Sequence, residues 1–382
     1  MKKTIILVAI AIAIAIAIVA VLCLLLPAPS KRPVEVLPDY RSYLTELVEE
    51  YISDDGKHID LNFNIPDNQS IDAYIKSFVE LNFTDDFFIG HNPTAQQASY
   101  DALRQSIYDD FLRQTQQAIN SSIAAYRNRL ERAGCEDIEI ESTPEGSMLI
   151  KYESEKDIPF EQLISSQGLL EFYTCHDIGS IASVLLDMDG VITSINTDHS
   201  LFSLVDARYA TYGIIGAATE SDMEILDKYL ADPRVKELIP DNLLFMWSVK
   251  PELSGNRYIL YALRSIDGKP ALDGEAVDSS RANYSERGTS AEVHLVMTTD
   301  GAAEWARLTK QLAEDSDARN YANGLPLAIV VDKRVYSAPY VREEITGGNS
   351  IISGNFTIGE AEVLANVLNS NIVTLPIREI RK

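Results

Sequence analysis

Residues 327–376 constrain the fold more than any other stretch, because they predict a complete strand–turn–strand–helix unit. Leu327–Val331 is a short apolar run rich in β-branched residues, which is typical of a buried strand. Asp332–Lys333 turns the chain, and Val335–Ser337 predicts a returning strand. Pro339 ends that strand, because proline has no amide hydrogen to donate to a sheet ladder.

The second half of this stretch predicts a tight turn and a capped helix. Gly347 and Gly348 favour a turn with positive φ. Thr357 and Glu360 have the spacing of a capping box, and the apolar residues at 363, 364, 367 and 368 share one helical face. By itself this unit indicates a fold and names no chemistry.

The same residues carry a family resemblance. Val335–Leu368, VYSAPYVREEITGGNSIISGNFTIGEAEVLANVL, resembles the end of the first large extracytoplasmic domain of SecD and fused SecDF proteins, accessory subunits of the bacterial protein-export machinery. The phrases YRNRLERAG, GLLEFYT, LLFMWSVK and AAEWARLTK are similar to other segments of that domain, so the resemblance covers roughly Tyr126–Pro376. Family members often have Asp-Gly at this hairpin turn, whereas this chain has Asp332–Lys333. The sequence therefore leaves open whether the hairpin has the tightest, two-residue turn type.

Charge limits the partners of the chain. The 382 residues carry 57 acidic and 33 basic side chains, a formal net charge of −24. Such a surface repels phosphate backbones and anionic lipid headgroups, so the composition argues against nucleic-acid binding and peripheral adsorption to membranes.

The N-terminal run Ile5–Leu26 predicts a membrane anchor. Its 22 residues carry no charge, and at ~1.5 Å per residue they are long enough to cross a ~30 Å hydrocarbon core. Lys2 and Lys3 favour a cytoplasmic N-terminus, with the remaining chain on the periplasmic side of the cytoplasmic membrane. A cleaved signal peptide is the competing interpretation, and lipid modification of Cys23 is a weaker one.

The first soluble region predicts a ferredoxin-like base. His58–Ile65 alternates apolar and polar residues like a strand, and apolar residues recur at helical spacing from Leu103 to Leu130, before Gly134. Two strands around 138–152, a short helix and a strand at 169–174 complete the order βαββαβ. The family usually carries a Leu-Asp-Leu-x-Gly-Gly stretch after the anchor, and HIDLNFNI lacks its double glycine.

The fold class we predict is α+β: a transmembrane helix, a ferredoxin-like base and a mixed α+β head subdomain. In residue numbers this gives an anchor at 1–32, a linker at 33–56, the base at 57–175, the head at 176–376 and a C-terminal tail at 377–382.

One motif raises the possibility of an enzyme. Val184–Ile192, VLLDMDGVI, matches the Asp-x-Asp-Gly signature of haloacid-dehalogenase-type phosphatases. The residues before Asp187 have helical rather than strand spacing, and no alternating β/α series follows. We therefore predict a helix that ends at Gly190 as its cap, and no enzyme activity.

The sequence predicts no metal or other cofactor. The five histidines are scattered, and no Cys-x-x-Cys or His-x-x-x-His spacing occurs. Cys135 and Cys175 are predicted to be separate buried thiols, with a disulfide as the alternative.

Aromatic residues on or beside strands are the candidate contacts for another polypeptide. The residues chosen for this role are Tyr336, Tyr340 and Phe356, with Trp247 and Tyr258 as weaker members; Pro339, Gly347, Gly348 and Gly354 are predicted to be structural. For each aromatic, filling of the core is the simpler alternative.

The resemblance implies a binding module at the outer face of the cytoplasmic membrane that assists Sec-dependent export. Its expected partners are the translocon, unfolded secretory polypeptides and a separate channel subunit. In the family, proton flow through later transmembrane helices powers a swing of the head. This sequence ends at Lys382 without such helices, so we expect no proton channel of its own. The alternative is a diverged structural or interaction protein that kept the fold and lost the export role.

Overall fold

The computed structural model describes residues 33–52, 61–66, 69–91, 100–252, 256–285, 288 and 290–381. The predicted anchor Ile5–Leu26, together with Cys23, lies outside these residues. Within the described ranges, the helical stretch Ile178–Ile195 has the length and mean hydropathy, 1.5, to cross a membrane. Its Leu185, Met188 and Ile192 are buried in a core of the head, so one face of this helix packs against that core.

The α-helices of the described residues are numbered in chain order. They are α1 (Tyr40–Ile52), α2 (Ile71–Asn82), α3 (Asp85–His91), α4 (Tyr100–Arg132), α5 (Phe160–Ser165), α6 (Ala182–Ile195), α7 (Leu201–Leu204), α8 (Glu220–Leu230), α9 (Pro233–Lys236), α10 (Thr299–Ala318) and α11 (Ile358–Leu368).

The strands of the described residues form three sheets. They are β1 (Val34–Pro38), β2 (Glu136–Ser142), β3 (Met148–Glu153), β4 (Leu170–Cys175), β5 (Ile214–Ala218), β6 (Leu243–Trp247), β7 (Tyr258–Arg264), β8 (Leu272–Asp273), β9 (Val277–Tyr284), β10 (Ala291–Met297), β11 (Leu325–Val331), β12 (Arg334–Ser337), β13 (Tyr340–Val341), β14 (Asn349–Phe356) and β15 (Ile377–Arg381).

The base is the region formed by described residues 33–165 together with 373–381, which share one hydrophobic core. Its antiparallel sheet has the order β15-β1-β3-β2. Val36 pairs with Ile380 on one side and with Met148 on the other. The long helix α4 lies on this core and ends at Arg132, just before Gly134, as the periodicity predicts.

One predicted strand of the base is wrong, and another lies in a different sheet. The described part of His58–Ile65 forms no strand. The predicted strand at 169–174 is confirmed as β4 (Leu170–Cys175), but it pairs within a sheet of the head. Their places are taken by β1, from the predicted linker 33–56, and by β15, from the predicted tail 377–382.

The alternation in 61–65 has a different physical origin. Phe63 stacks on Phe78 at 5.1 Å between ring centroids, and Ile65 is buried. Asn82 at the end of α2 accepts a hydrogen bond from the Asn62 backbone N–H at 2.6 Å and donates one to its carbonyl at 3.0 Å. The alternating burial of this segment therefore arises because it packs on a helix. The Asn82 side chain makes the backbone hydrogen bonds that a neighbouring strand would otherwise make.

The head comprises residues 170–368. Its larger sheet contains the path β12-β11-β4-β7-β5, with β6, β8 and β13 at its sides, and its smaller sheet has the order β14-β10-β9. Every residue of β11 is buried, so the prediction of a buried strand is confirmed. The capping box is also confirmed, because Thr357 and Glu360 bond each other's backbone N–H at the start of α11.

The stretch containing the phosphatase-like motif is helical, but its predicted end is wrong. Gly190 lies inside α6, which continues to Ile195. The run starting at Leu201 begins with the short helix α7 and reaches a strand only at Ile214. Because glycine is tolerated in a helix that packs on a core, Gly190 alone does not end one.

The hairpin between β11 and β12 keeps the tight turn despite lacking glycine. Asp332 and Lys333 have φ values of 51° and 62°, the left-handed pair that a type I′ turn requires. The Asp332 carboxylate accepts hydrogen bonds from the Gly168 and Leu169 backbone N–H groups, both at 2.9 Å, and from the Ser166 hydroxyl at 2.5 Å. These bonds help to hold a turn that its residue types disfavour.

Candidate functional site

The three predicted contact residues meet in one cleft of the head. We call it the aromatic cleft; its volume is about 430 Å³. It lies between the β12–β13 segment, the end of β14 and the residues that follow β6. Its lining includes Tyr336, Pro339, Tyr340, Gly354 and Phe356, together with Tyr212, Lys250, Pro251, Glu252, Ile259, Tyr261 and Pro326.

The aromatic wall is built from two strands. Tyr336 and Phe356 stack with ring centroids 6.1 Å apart and an interplanar angle of 26°. Phe356 is buried and Tyr336 is half-buried, whereas Tyr340 at the rim is 45% exposed. Burial raises the pKa of Tyr336 to about 12, so its hydroxyl remains protonated at neutral pH. The wall thus presents aromatic surface with an exposed ring at its edge.

Gly354 is required for this wall. A Cβ at this position would lie 2.6 Å from the nearest carbon of the Phe356 ring. The pairing of β10 with β14 shifts here, since Ala291 faces Phe356 while Glu292 faces Ser353. This irregularity and the missing side chain let the ring fold back against its own strand.

The other predicted structural residues divide between two places. Pro339 lies in the cleft, and its carbonyl accepts a hydrogen bond from the Leu327 N–H at 3.0 Å. Gly347 and Gly348 lie at the opposite end of β14, in the predicted turn, where the Gly348 carbonyl accepts from the Met297 N–H.

Charged residues at the cleft were not predicted. Lys250 Nζ lies 2.6 Å from Glu360 Oε1 and 5.1 Å from the centroid of the Phe356 ring. Burial opposes ionisation of Glu360, but hydrogen bonds from Lys250 and Thr357 outweigh it and lower the pKa of this carboxyl. Desolvation raises the pKa of Glu252.

The missed lining residues reach the cleft through long-range strand pairing. The Val249 N–H donates to the Val335 carbonyl at 2.9 Å, which attaches the segment after β6 to the outer side of β12. The phrase LLFMWSVK contributes to the family resemblance, but its position beside β12 was not predicted. A local pattern contains no signal for such a contact between segments far apart in sequence.

Two weaker aromatic candidates lie elsewhere. Trp247 is buried in another core of the head and donates its indole N–H to Asp227 Oδ1 at 2.7 Å. Tyr258 packs partly against the same core. For these two residues, filling of the core is the correct interpretation.

The remaining sequence candidates form no catalytic arrangement within the described residues. Asp187 is exposed on α6. No group of three or more His, Cys, Asp or Glu side chains in the described part of the chain is arranged to hold a metal ion. Cys135 and Cys175 are both buried thiols, and burial raises the pKa of Cys175 to about 12. His176 is buried, with Nε2 2.9 Å from the Asn242 carbonyl.

Comparison with known proteins bears on the region that contains the cleft. Residues 251–375 match the family model described as SecDF, P1 head subdomain. Most of the residues that line the aromatic cleft fall inside this range, including all three predicted contact residues.

Curated relatives carry the same family name. The SecD protein translocase subunit of Rhodothermus marinus is 24% identical over 297 residues, which cover 69% of this chain and 46% of that protein. SecD of Streptomyces coelicolor is 36% identical over 113 residues, covering 29% and 19%. SecDF of Thermus thermophilus is 36% identical over 116 residues, covering 30% and 14%. Each match spans less than half the length of the relative.

A solved structure is also similar to this chain. A structure of SecDF, described as a membrane component that enhances protein export, is 22% identical and covers 70% of this chain and 93% of that one, with a TM-score of 0.38.

Residues 251–375 match the SecDF P1 head subdomain, and the relatives are protein translocase subunits. The chain therefore resembles the extracytoplasmic domain of SecD and SecDF proteins.

Proposed function

We propose that this chain is a membrane-anchored SecD-type module that binds an extended segment of a translocating polypeptide in the aromatic cleft and thereby assists Sec-dependent export. The observation that carries the proposal is the convergence of Tyr336, Tyr340 and Phe356 on one cleft inside the region matched to the SecDF P1 head. Its partners are then the translocon and unfolded secretory polypeptides.

The chemistry of the cleft suits an extended peptide. Three prolines and several aromatic rings supply apolar surface, and an open cleft of this size lies in the usual range of ligand sites. Among the described strands, β14 pairs with β10 on one side only, and its Ser353 and Gly354 line the cleft. An extended chain can add main-chain hydrogen bonds at such a strand edge while its side chains contact the rings.

The opposite edge of this small sheet is partly closed. Asn369 accepts from the Ser280 N–H at 2.8 Å and donates to the Ser280 carbonyl at 2.7 Å, so its amide takes the place of a pairing strand on β9. Of the two edges of this sheet, the β14 edge is therefore the one proposed to pair with a peptide.

The base is proposed to support the head near the membrane. The strand order β15-β1-β3-β2 is that of a split βαβ arrangement, so we interpret the base as ferredoxin-like, with β1 and β15 as the first and fourth strands of that fold. The ends of β1 and β15 lie together, since Glu35 pairs with Arg381, and the predicted anchor precedes β1. A separate channel subunit stays a prediction.

Binding is tested by fluorescence anisotropy with the full chain and a fluorescein-labelled, reduced and carboxymethylated polypeptide. Tyr340→Ser removes a ring that is 45% exposed, and we expect affinity to fall by about five-fold or more. The matched control is Tyr284→Ser, which removes a ring that is 65% exposed on β9. Equal affinities of the two variants would contradict the proposed site.

A diverged interaction protein that has lost the export role is the second candidate, favoured by the absent double glycine in HIDLNFNI. Co-purification of the translocon with the full chain from detergent-solubilised membranes separates the two. Peptide binding without translocon association would favour the diverged protein.

A further inference from the structure

We propose that Lys250 is a gate in a longer peptide groove, and that a Lys or Arg side chain of the bound polypeptide takes its place on Glu360. This inference rests on the proposed function and specifies the ligand: an extended segment with an apolar side chain and a basic residue about two positions away.

The first observation is a second cleft that shares a wall with the aromatic cleft. It has a volume of about 360 Å³ and extends from the wall toward the junction of head and base at Ser166 and Asp332. Its other lining residues include Gln162, Ser165, Glu360, Val363, Leu364 and Val367. Both clefts are lined by the same four residues: Val249, Lys250, Tyr336 and Phe356.

Of these four residues, Lys250 is the one best able to move. Val249 is held by its backbone bond to β12, and Tyr336 and Phe356 lie on strands and stack on each other. Lys250 instead reaches over the Phe356 ring to Glu360 on a flexible stem, and its side chain is 35% exposed. Its displacement would join the two clefts into one groove.

The ion pair that closes the gate is weak enough to exchange. Lys250 and Glu360 are both about one-third exposed, and ion pairs of this kind contribute little to stability. The open and closed positions of Lys250 are therefore expected to differ in population by no more than about five-fold.

Glu360 is positioned to receive a replacement cation. Its Oε2 accepts hydrogen bonds from the Thr357 N–H at 2.8 Å and from the Thr357 hydroxyl at 3.0 Å, which hold the carboxylate at the start of α11. Oε1 faces Lys250 at 2.6 Å. When Lys250 swings away, a fixed carboxylate remains in the groove, beside the aromatic wall, and an ammonium or guanidinium group of the ligand restores the pair.

The spacing follows from the contact geometry. Lys250 Nζ lies 5.1 Å from the centroid of the Phe356 ring. In an extended chain, side chains two residues apart point to the same side and are separated by about 6.5–7 Å. An apolar side chain on the ring and a basic one on Glu360 thus match positions i and i+2.

The test uses three fluorescein-labelled 12-residue Gly/Ser peptides and the full chain at 150 mM salt. One contains a single Leu, the second adds Lys two positions from it, and the third carries that Lys eight positions away as a control for net charge. We expect the second peptide to bind about two-fold more tightly than the other two, because its lysine must displace Lys250 from Glu360.

Two variants make the assignment specific. Lys250→Met keeps the apolar stem and removes the competing ammonium, so the preference for the second peptide should widen to about five-fold. Glu360→Gln retains a residue that completes a capping box, so α11 is preserved, and the preference should disappear. The gate would be overturned if Glu360→Gln still bound the second peptide preferentially. It would also be overturned if the third peptide bound as tightly as the second.

The outcomes also separate this inference from the proposed function. If the Leu peptide binds in a Tyr340-dependent manner but Lys adds no affinity, the gate is wrong and the aromatic cleft stands. If none of the three peptides binds, both are overturned.

Discussion

A buried arginine joins the base to the head, and its replacement should strongly destabilise the protein. Arg129 on α4 is fully buried. Its guanidinium donates to the Leu163 and Ser166 carbonyls at 2.9 and 2.5 Å. It also donates to the Gln167 carbonyl at 3.0 Å and the Ser370 hydroxyl at 2.7 Å. The two chain segments that connect base and head, around 166–169 and 369–373, therefore meet on one side chain.

The size of the destabilisation follows from the cost of burying the charge, the hydrogen bonds that this charge makes and the acceptors left without a donor when it is removed. Burial lowers the pKa of Arg129 to about 10, so the group stays charged at neutral pH and its desolvation costs several kcal/mol. Hydrogen bonds from a charged donor contribute about 1.5–3 kcal/mol each, and there are four. The Gln167 carbonyl keeps a second donor, the Val373 N–H, but other acceptors lose theirs. We expect Arg129→Met to lower the free energy of unfolding by about 4 kcal/mol.

The assay is urea-induced unfolding of the full chain followed by tryptophan fluorescence. Both tryptophans, Trp247 and Trp305, are buried in the head, so the signal reports a region that Arg129 reaches only through the junction. Arg132→Met is the matched control, because Arg132 is exposed on the same helix and its Nε–H donates to Asn128, one turn earlier. It should change the free energy of unfolding by less than about 0.5 kcal/mol.

A common unfolding midpoint for the two variants would refute the reasoning. Arg129→Lys refines it: a lysine keeps the charge but cannot reproduce the planar fork, so this variant should also be clearly destabilised. Wild-type stability of Arg129→Lys would mean that the charge matters and the branched contacts do not.

Three further predictions test particular features of the structure. Gly190→Ala should raise the stability to urea by about 0.5–1 kcal/mol, because the residue lies inside a helix with no atom within 4 Å of an added Cβ; a loss of stability would favour the helix-cap interpretation. Gly354→Ala should destabilise the head by about 1–3 kcal/mol and weaken peptide binding, because the new Cβ would meet the Phe356 ring. Gly359→Ala, with open space around its added Cβ, is the control for this variant. Burial lowers the pKa of His176, so the folded state resists its protonation; stability is full above the unfolded pKa of about 6.5 and falls as pH drops below it. In thermal melts at pH 7.5 and 5.0, His176→Gln should show a smaller fall in Tm than the wild type, and an equal fall would exclude this contribution.

Short-range physics made several elements predictable. The buried strand β11, the long helix α4 and the capping box of α11 each depend on residues within a few positions of one another. The same reasoning separated a helix from a phosphatase-type strand at VLLDMDGVI. It failed at the helix end, because packing of α6 on the head core outweighs the weak helix preference of Gly190.

The sequence by itself determined most local elements, the aromatic residues of the cleft and the family resemblance. The tertiary structure alone decided which strands complete the base sheet, since β1 and β15 pair across more than 300 residues of chain. It also decided that Lys250 and Glu360 meet beside the aromatic wall. Periodicity reports which face of a segment is buried, whereas the partner that buries it is chosen by pairing and packing over the whole chain.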